Sequence, residues 1–200
     1  MVKALETFYK GYRFRSRLEA RWAVFFDSLG VKYKYEPEGY DLGEGLYYLP
    51  DFYLPDVHGG TWVEVKGEMS DDDREKIHKF QGALWEQNCD GANYGIPGEM
   101  MIAVGEIPED DYDLLDEIYR DDYGLWDYYS PGWDFPYVPC VCPVCGKFGF
   151  EYDGRGARIC RHNDDDKGYS YNHHKIKAAF SAARQARFEH GETPKLIRSQ

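Results

Sequence analysis

The sequence predicts an α/β fold: a domain of helix, three strands, helix and strand, with a small cysteine-bearing module and a last helix appended. Three observations carry this. Apolar residues recur at helical steps in a stretch ahead of several short strand-like runs. Trp62-Val63-Glu64-Val65-Lys66 alternates with a period of two. Four of the five cysteines, Cys140, Cys142, Cys145 and Cys160, crowd the last third of the chain. Two hundred residues with 42% hydrophobic and 17% aromatic content suit one domain with an appendage and exclude global disorder.

The first helix is expected over 15–29. Leu18, Trp22, Phe25, Phe26 and Leu29 follow three- and four-residue steps, and Gly30 stops it. Strands are expected at 31–35, at 46–54 between Gly45 and Pro55, and at 61–65 after Gly59-Gly60. Ser70 is a plausible N-cap for a helix to about Gln87, with Asp71-Asp72-Asp73 placing negative charge on its first turn. Residues 100–105 form a short apolar run that reads as a buried strand.

Glu106 to Tyr137 differs in kind, since acidic and aromatic residues alternate through it. One reading is a solvated connector whose rings pack onto the core; the other is a negative strip that mimics phosphate. Beyond it, Lys175 to Glu189 reads as a helix with Ile176, Phe180, Ala183 and Phe188 toward the core. The expected divisions are 1–107, 108–138 and 139–200.

No apolar run is long enough to span a bilayer and Met1 to Glu6 is no signal peptide, so a cytoplasmic protein without membrane contact is expected. The net charge of −12 argues against nucleic acid at first sight. Its distribution changes that. Residues 1–38 carry +3, residues 39–139 carry −19 and residues 140–200 carry +4, so the acidity lies in the middle. Local potential, rather than total charge, decides whether a cleft attracts phosphate.

Chemistry concentrates at two places. Glu64 and Lys66 share one face of their strand while Val63 and Val65 fill the other. Two charges on an otherwise buried strand are costly unless a metal ion and a phosphate call for them, and Asp51 follows Pro50 at the end of the neighbouring strand. Hard oxygen donors of this kind suit Mg²⁺ or Mn²⁺. A half-exposed surface ion pair is the plainer explanation of Glu64-x-Lys66, as an ion pair with Arg15 is for Glu19.

The second place is Cys142-x-x-Cys145-Gly146, a metal knuckle, with Cys160-x-His162 after a hairpin expected between 147–152 and 157–159. Cys142, Cys145, Cys160 and His162 would close a structural Zn²⁺ site, with Cys140 a rival fourth ligand and His173 and His174 further ones. Lys175, Lys177, Arg184 and Arg187 give the helix that follows a basic surface, a candidate DNA-binding element or simply a solvated face.

Pro50-Asp51 with Glu64-x-Lys66 resembles the PD-(D/E)XK signature of restriction-endonuclease-like nucleases. Phe14-Arg15-Ser16-Arg17-Leu18-Glu19-Ala20 resembles the opening helix of the resolvase-like and transposon-endonuclease branch. The resemblance covers about residues 13–105. It implies a restriction-endonuclease-like core and a Mg²⁺-dependent DNA endonuclease. Asp51, Glu64 and the Val65 carbonyl would bind the metal, and Glu19 would hold it through water or help bind a second ion. Lys66 would orient the attacking water. Gln81 is then a candidate for substrate contact and Arg15 and Arg17 for phosphate contact. Branched or junction DNA is one candidate substrate, and cutting both strands of a junction would require a homodimer. The competing class is a non-catalytic acidic interaction protein, a DNA mimic on a nuclease scaffold.

Overall fold

The computed structural model describes residues 6–89, 91–92, 94–108, 126–127, 135–152, 159–160, 162 and 173–188. It opens on a hairpin, β1 (Thr7–Tyr9) and β2 (Tyr12–Phe14), which the apolar spacing did not announce. The turn between them is Lys10-Gly11, with φ of 47° and 86°. Positive φ at both central residues matches the right-handed twist of a tight hairpin, which is why glycine stands there.

Helix α1 (Arg17–Ser28) follows, shorter at both ends than the expected 15–29. Ser16 caps it by accepting from the Glu19 N–H at 3.1 Å, and Glu19 returns the contact through Ser16 Oγ at 2.7 Å. Ser16-x-x-Glu19 is thus a capping box. The strand expected over 31–35 shrinks to β3 (Lys34–Tyr35).

The expected strand 46–54 divides. Tyr47–Tyr48 (β5) pairs with β4 (Tyr40–Asp41) in a separate two-stranded sheet, whereas Phe52–Leu54 (β6) joins the main sheet. Pro50 has no N–H to give a ladder, so the chain leaves one sheet and enters the other across Leu49-Pro50-Asp51. Strand β7 (Thr61–Val65) lies where alternation put it, helix α2 runs Asp71–Cys89, and β8 spans Met100–Val104. Gly60, at φ 122°, abuts Gly98: a Cβ there would stand 2.7 Å from the Gly98 Cα, so this loop crossing demands glycine.

The main sheet has seven strands in the order β11-β10-β9-β8-β7-β6-β3, with β9 at Trp126–Asp127, β10 at Phe135–Val141 and β11 at Phe148–Tyr152. Only β7 and β8 pair in parallel, joined through α2 as a βαβ unit. Helix α3 (His174–Gln185) closes the described chain.

Burial sorts the layers. Phe52, Leu54, Val63, Val65, Ile102 and Val104 join one buried cluster with α1 and α3. Tyr53, Trp62, Met101 and Ala103 join a second with Ile77, Phe80 and Leu84 of α2. Alternate residues of β6, β7 and β8 therefore face opposite ways, and the sheet lies between α1 with α3 and α2. Trp22, Phe25 and Phe26 are each at most 2% exposed, and burying such a side chain contributes about 1.5–3 kcal/mol.

The C-terminal part is built into this core. Cys140, Val141, Phe148, Phe150 and Ile159 belong to the same cluster as Phe25 and Phe52, and His58 Nε2 accepts from the Phe150 N–H at 3.0 Å. The core therefore does not break at the expected boundaries, and β9 and β10 carry the connector into the sheet. Strand β11 pairs with β10. Residues 153–158, with most of the expected second hairpin arm, and most of the connector lie outside the described residues.

Candidate functional site

The β5–β6 junction delivers Asp51 to the end of the sheet. In the antiparallel register Phe52 faces Val63 and Tyr53 faces Trp62, so one step further brings Asp51 level with Glu64. Both stand on the α2 side, the face that Tyr53 and Trp62 occupy. Each is 2% exposed. Asp51 Oδ2 accepts from the Val65 N–H at 2.7 Å, and its Oδ1 lies 2.6 Å from Arg15 Nη2. Glu64 Oε2 accepts from the Tyr48 hydroxyl at 2.8 Å, and its Oε1 lies 3.1 Å from Lys66 Nζ.

Lys66 continues the chain to α2, since its Nζ is also 3.0 Å from Asp73 Oδ1. Asp73 is held in turn by the Ser70 hydroxyl and backbone N–H, within the N-cap of that helix. The acidic triplet 71–73 therefore does more than meet a helix dipole: its third member braces the site lysine.

These carboxylates are held above their ordinary range. Burial pushes Asp51 up first, then the charges of Glu64 and Glu19; the Val65 N–H and Arg15 pull it down, and it settles at about 8. Glu64 is also raised by burial, against the pull of Lys66 and Tyr48. Burial disfavours the Lys66 ammonium, but Glu64 and Asp73 outweigh it and raise Lys66. Two neighbouring buried carboxylates above their usual range form a pair whose charged state a divalent cation would favour.

Glu19 approaches from α1 and is 6% exposed. Both its oxygens are engaged: Oε1 by Ser16, Oε2 by the Tyr35 hydroxyl at 2.5 Å and the Arg15 N–H at 3.0 Å. The capping box explains Glu19 without a metal, and the expected side-chain pairing with Arg15 gives way to one through the Arg15 backbone. Among the described residues, Glu19, Asp51 and Glu64 do not close to within 4.8 Å of one another.

Other expected residues fall as follows. Arg17 is half-buried on α1. Gln81 is 7% exposed with both amide atoms buried, which removes it from a surface that substrate could touch. On α3, Lys175 is exposed and Lys177 half-buried, while Arg184 donates to the Pro108 carbonyl at 2.9 Å; the helix ends at Gln185, so Arg187, exposed, lies past it. The sequence reading missed Tyr35, Tyr48, Glu36 and Asp73. Tyr48 carries a readable signal, since it sits three residues before Asp51 in a strand of alternating burial.

The second cluster is a metal knuckle in form. The β10–β11 hairpin turns at Cys142–Gly146, where the Gly146 N–H donates to the Cys142 carbonyl at 2.8 Å and Gly146 has φ 72°. Ligand atoms of Cys142, Cys145, Cys160 and His162 all lie within 4.8 Å of one another, with Cys145 Sγ 3.6 Å from Cys160 Sγ. These four can hold a metal ion such as zinc. Burial works against the Cys142 thiolate, but the Cys145 N–H and neighbouring donors prevail and bring it to about 6; burial raises Cys160 to about 11.

Cys140 is 0% exposed in the main core and stands outside this group, in which His162 is the fourth member. His173 serves as the N-cap of α3, accepting from the Lys175 N–H at 3.2 Å, and its ring stacks on His174. No helix among the described residues is long and apolar enough to cross a membrane. Comparison with protein-family models, curated proteins and solved structures gave no match to this chain.

Proposed function

We propose that this protein is a metal-dependent DNA endonuclease with a restriction-endonuclease-like core, in which Asp51, Glu64 and the Val65 carbonyl bind Mg²⁺ or Mn²⁺. One observation carries the reading: Asp51 and Glu64 are buried on the same face at the same level, with Lys66 beside them. The donor set fits the ion, since both are hard carboxylates whose repulsion and burial already push their protonation upward. When bound, the ion supplies a Lewis acid for the phosphoryl oxygens and acidifies water.

The chain's own groups do the rest. Tyr48 fixes the rotamer of Glu64, and the Val65 N–H fixes that of Asp51. Lys66, bracketed by Glu64 and Asp73, remains an ammonium that orients the attacking water and meets charge growing on the scissile phosphate. Glu19 shapes the field at Asp51 and ties the start of α1. The exposed Lys175 on α3 and Arg187 just past its end offer charge to the DNA backbone. Zinc at Cys142, Cys145, Cys160 and His162, closed by four protein ligands, is structural.

Purified protein should nick or linearise supercoiled plasmid, or cleave a four-way junction, with Mg²⁺ or Mn²⁺ and not with EDTA. Preferential cutting of the junction would assign the branched-DNA specificity. Asp51→Asn preparations cutting as well as the wild type would sink the proposal. Wild-type protein that binds and blocks DNA-binding partners without cutting any substrate would favour the acidic mimic.

A further inference from the structure

Arg15 reaches into the candidate site without a part in the proposed hydrolysis. Its Nη2 is 2.6 Å from Asp51 Oδ1 and its Nε is 2.5 Å from Glu36 Oε1. The Arg15 side chain is 54% exposed, whereas that of Asp51 is 2% exposed, so the guanidinium meets Asp51 from the solvent side. Asp51 Oδ2 is held by the Val65 N–H. The other oxygen, Oδ1, is the one Arg15 covers.

A cation shared by Asp51 and Glu64 must therefore meet the Arg15 charge. We propose that Arg15 is an exchangeable partner of Asp51: it occupies Oδ1 in the metal-free protein, yields that oxygen to the divalent ion, and then turns to a phosphate of the substrate backbone. This rests on the reading of Asp51 and Glu64 as the metal site. Three physical reasons favour exchange over a fixed ion pair. A divalent ion outcompetes a single delocalised charge for a carboxylate, and the two cations repel at this separation. The long, half-exposed stem of Arg15 can move without opening the core, and Glu36 is a partner that keeps its head near the site. The guanidinium fork also matches a phosphate as well as it matches a carboxylate.

The test is calorimetric titration of Mn²⁺ into the wild type, Arg15→Gln and Arg15→Lys, with Asp51→Asn identifying the site. Duplex DNA binding in Ca²⁺ is measured beside it across a salt series. Arg15→Gln should bind Mn²⁺ about tenfold tighter. It should bind DNA about fivefold more weakly, with a salt slope smaller by about one. Arg15→Lys, which keeps the charge and loses the fork, should bind Mn²⁺ like the wild type and DNA less well. A merely structural role would weaken both ligands together. Unchanged or weaker Mn²⁺ binding by folded Arg15→Gln overturns the exchange, as does tighter Mn²⁺ binding by Arg15→Lys. Absence of any Asp51-dependent Mn²⁺ site in the wild type overturns the metal reading itself, so the two failures are distinguishable.

Discussion

The backbone N–H of Val65 donates to Asp51 Oδ2 at 2.7 Å, so the residue between Glu64 and Lys66 holds the acid of the neighbouring strand in place. This bond sets Asp51 beside Glu64 while leaving its other oxygen to Arg15. Asp51→Asn or Glu64→Gln should therefore lower Mg²⁺-dependent cleavage by at least about 100-fold, because each removes an anionic ligand. The metal-free fold should be as stable as the wild type or more so, since like-charge repulsion leaves with the charge. Cleavage assays and thermal melts in EDTA on the same preparations check both halves.

How much of this was legible follows from what kind of force places each residue. Glu64 and Lys66 were readable because strand alternation alone decides their face. The division of 46–54 into β5 and β6 was hidden, although Pro50 marks the place, because only tertiary pairing tells a break from an edge. Glu19 looked like a ligand or an ion pair; the nearby Ser16 carried the capping signal and was passed over. Tyr48 and Asp73 reach Glu64 and Lys66 from another sheet and from a helix, contacts that no local pattern encodes. The inclusion of β10 and β11 in the main core was likewise invisible, since short apolar strands fit a separate module equally well, whereas the apolar spacing of 175–189 did put Ile176, Phe180 and Ala183 toward a core.

Tyr48→Phe tests the support of Glu64. Tyr48 is 7% exposed and its ring packs 5.3 Å from that of Phe80, so the variant keeps the packing and loses only the hydroxyl. Partners that orient metal ligands typically alter affinity by about 10–100-fold. Mn²⁺ affinity should fall by about tenfold with an unchanged melting temperature in the presence of excess metal. Calorimetry and melting curves separate that result from a packing defect.

Lys66→Ala should bind Mn²⁺ at least as well as the wild type while losing cleavage, because the ammonium competes for Glu64 rather than for the ion. Asp73→Asn should share the direction of the activity loss at smaller size, since it frees the lysine without removing it. Single-turnover rates at saturating metal, with calorimetry on the same variants, are the measurement. Loss of metal binding in folded Lys66→Ala would remove the assigned role.

The stability of the metal-free protein should fall as pH rises. Asp51 has a folded pKa of about 8 against an ordinary value of roughly 4, so protonation favours the folded state. Its contribution is complete below pH of roughly 4 and is lost as pH climbs through about 8; Glu64, raised as well, acts in the same direction. Asp73 is lowered and works the other way, but its stabilisation is lost only as pH falls below the ordinary carboxylate range. Melts in EDTA between pH 5 and 9 should thus slope downward for the wild type and less steeply for Asp51→Asn. Saturating Mg²⁺ should flatten the wild-type slope, because the ion stabilises the ionised pair.

Zinc removal should reach beyond its own neighbourhood. The sequence suggested an appended cysteine-bearing module at 139–200, separable from the rest. Instead Cys140, Val141, Phe148 and Phe150 share the buried cluster of α1, and Trp22 and Phe25 pack against Phe180 of α3. The Cys142 turn joins β10 to β11, and the ligand group ties that turn to Cys160 and His162, beside the packing of Ile159 in the shared core. About one zinc per chain should co-purify, and a strong chelator or Cys145→Ser should lower the melting temperature of the whole domain rather than release a C-terminal tail. Hydrogen exchange should then quicken in α1 and β11 together. Fast exchange confined to 140–162 would show that the shared core does not couple them, and retained zinc in Cys160→Ser, His162→Ala protein would show a different ligand set.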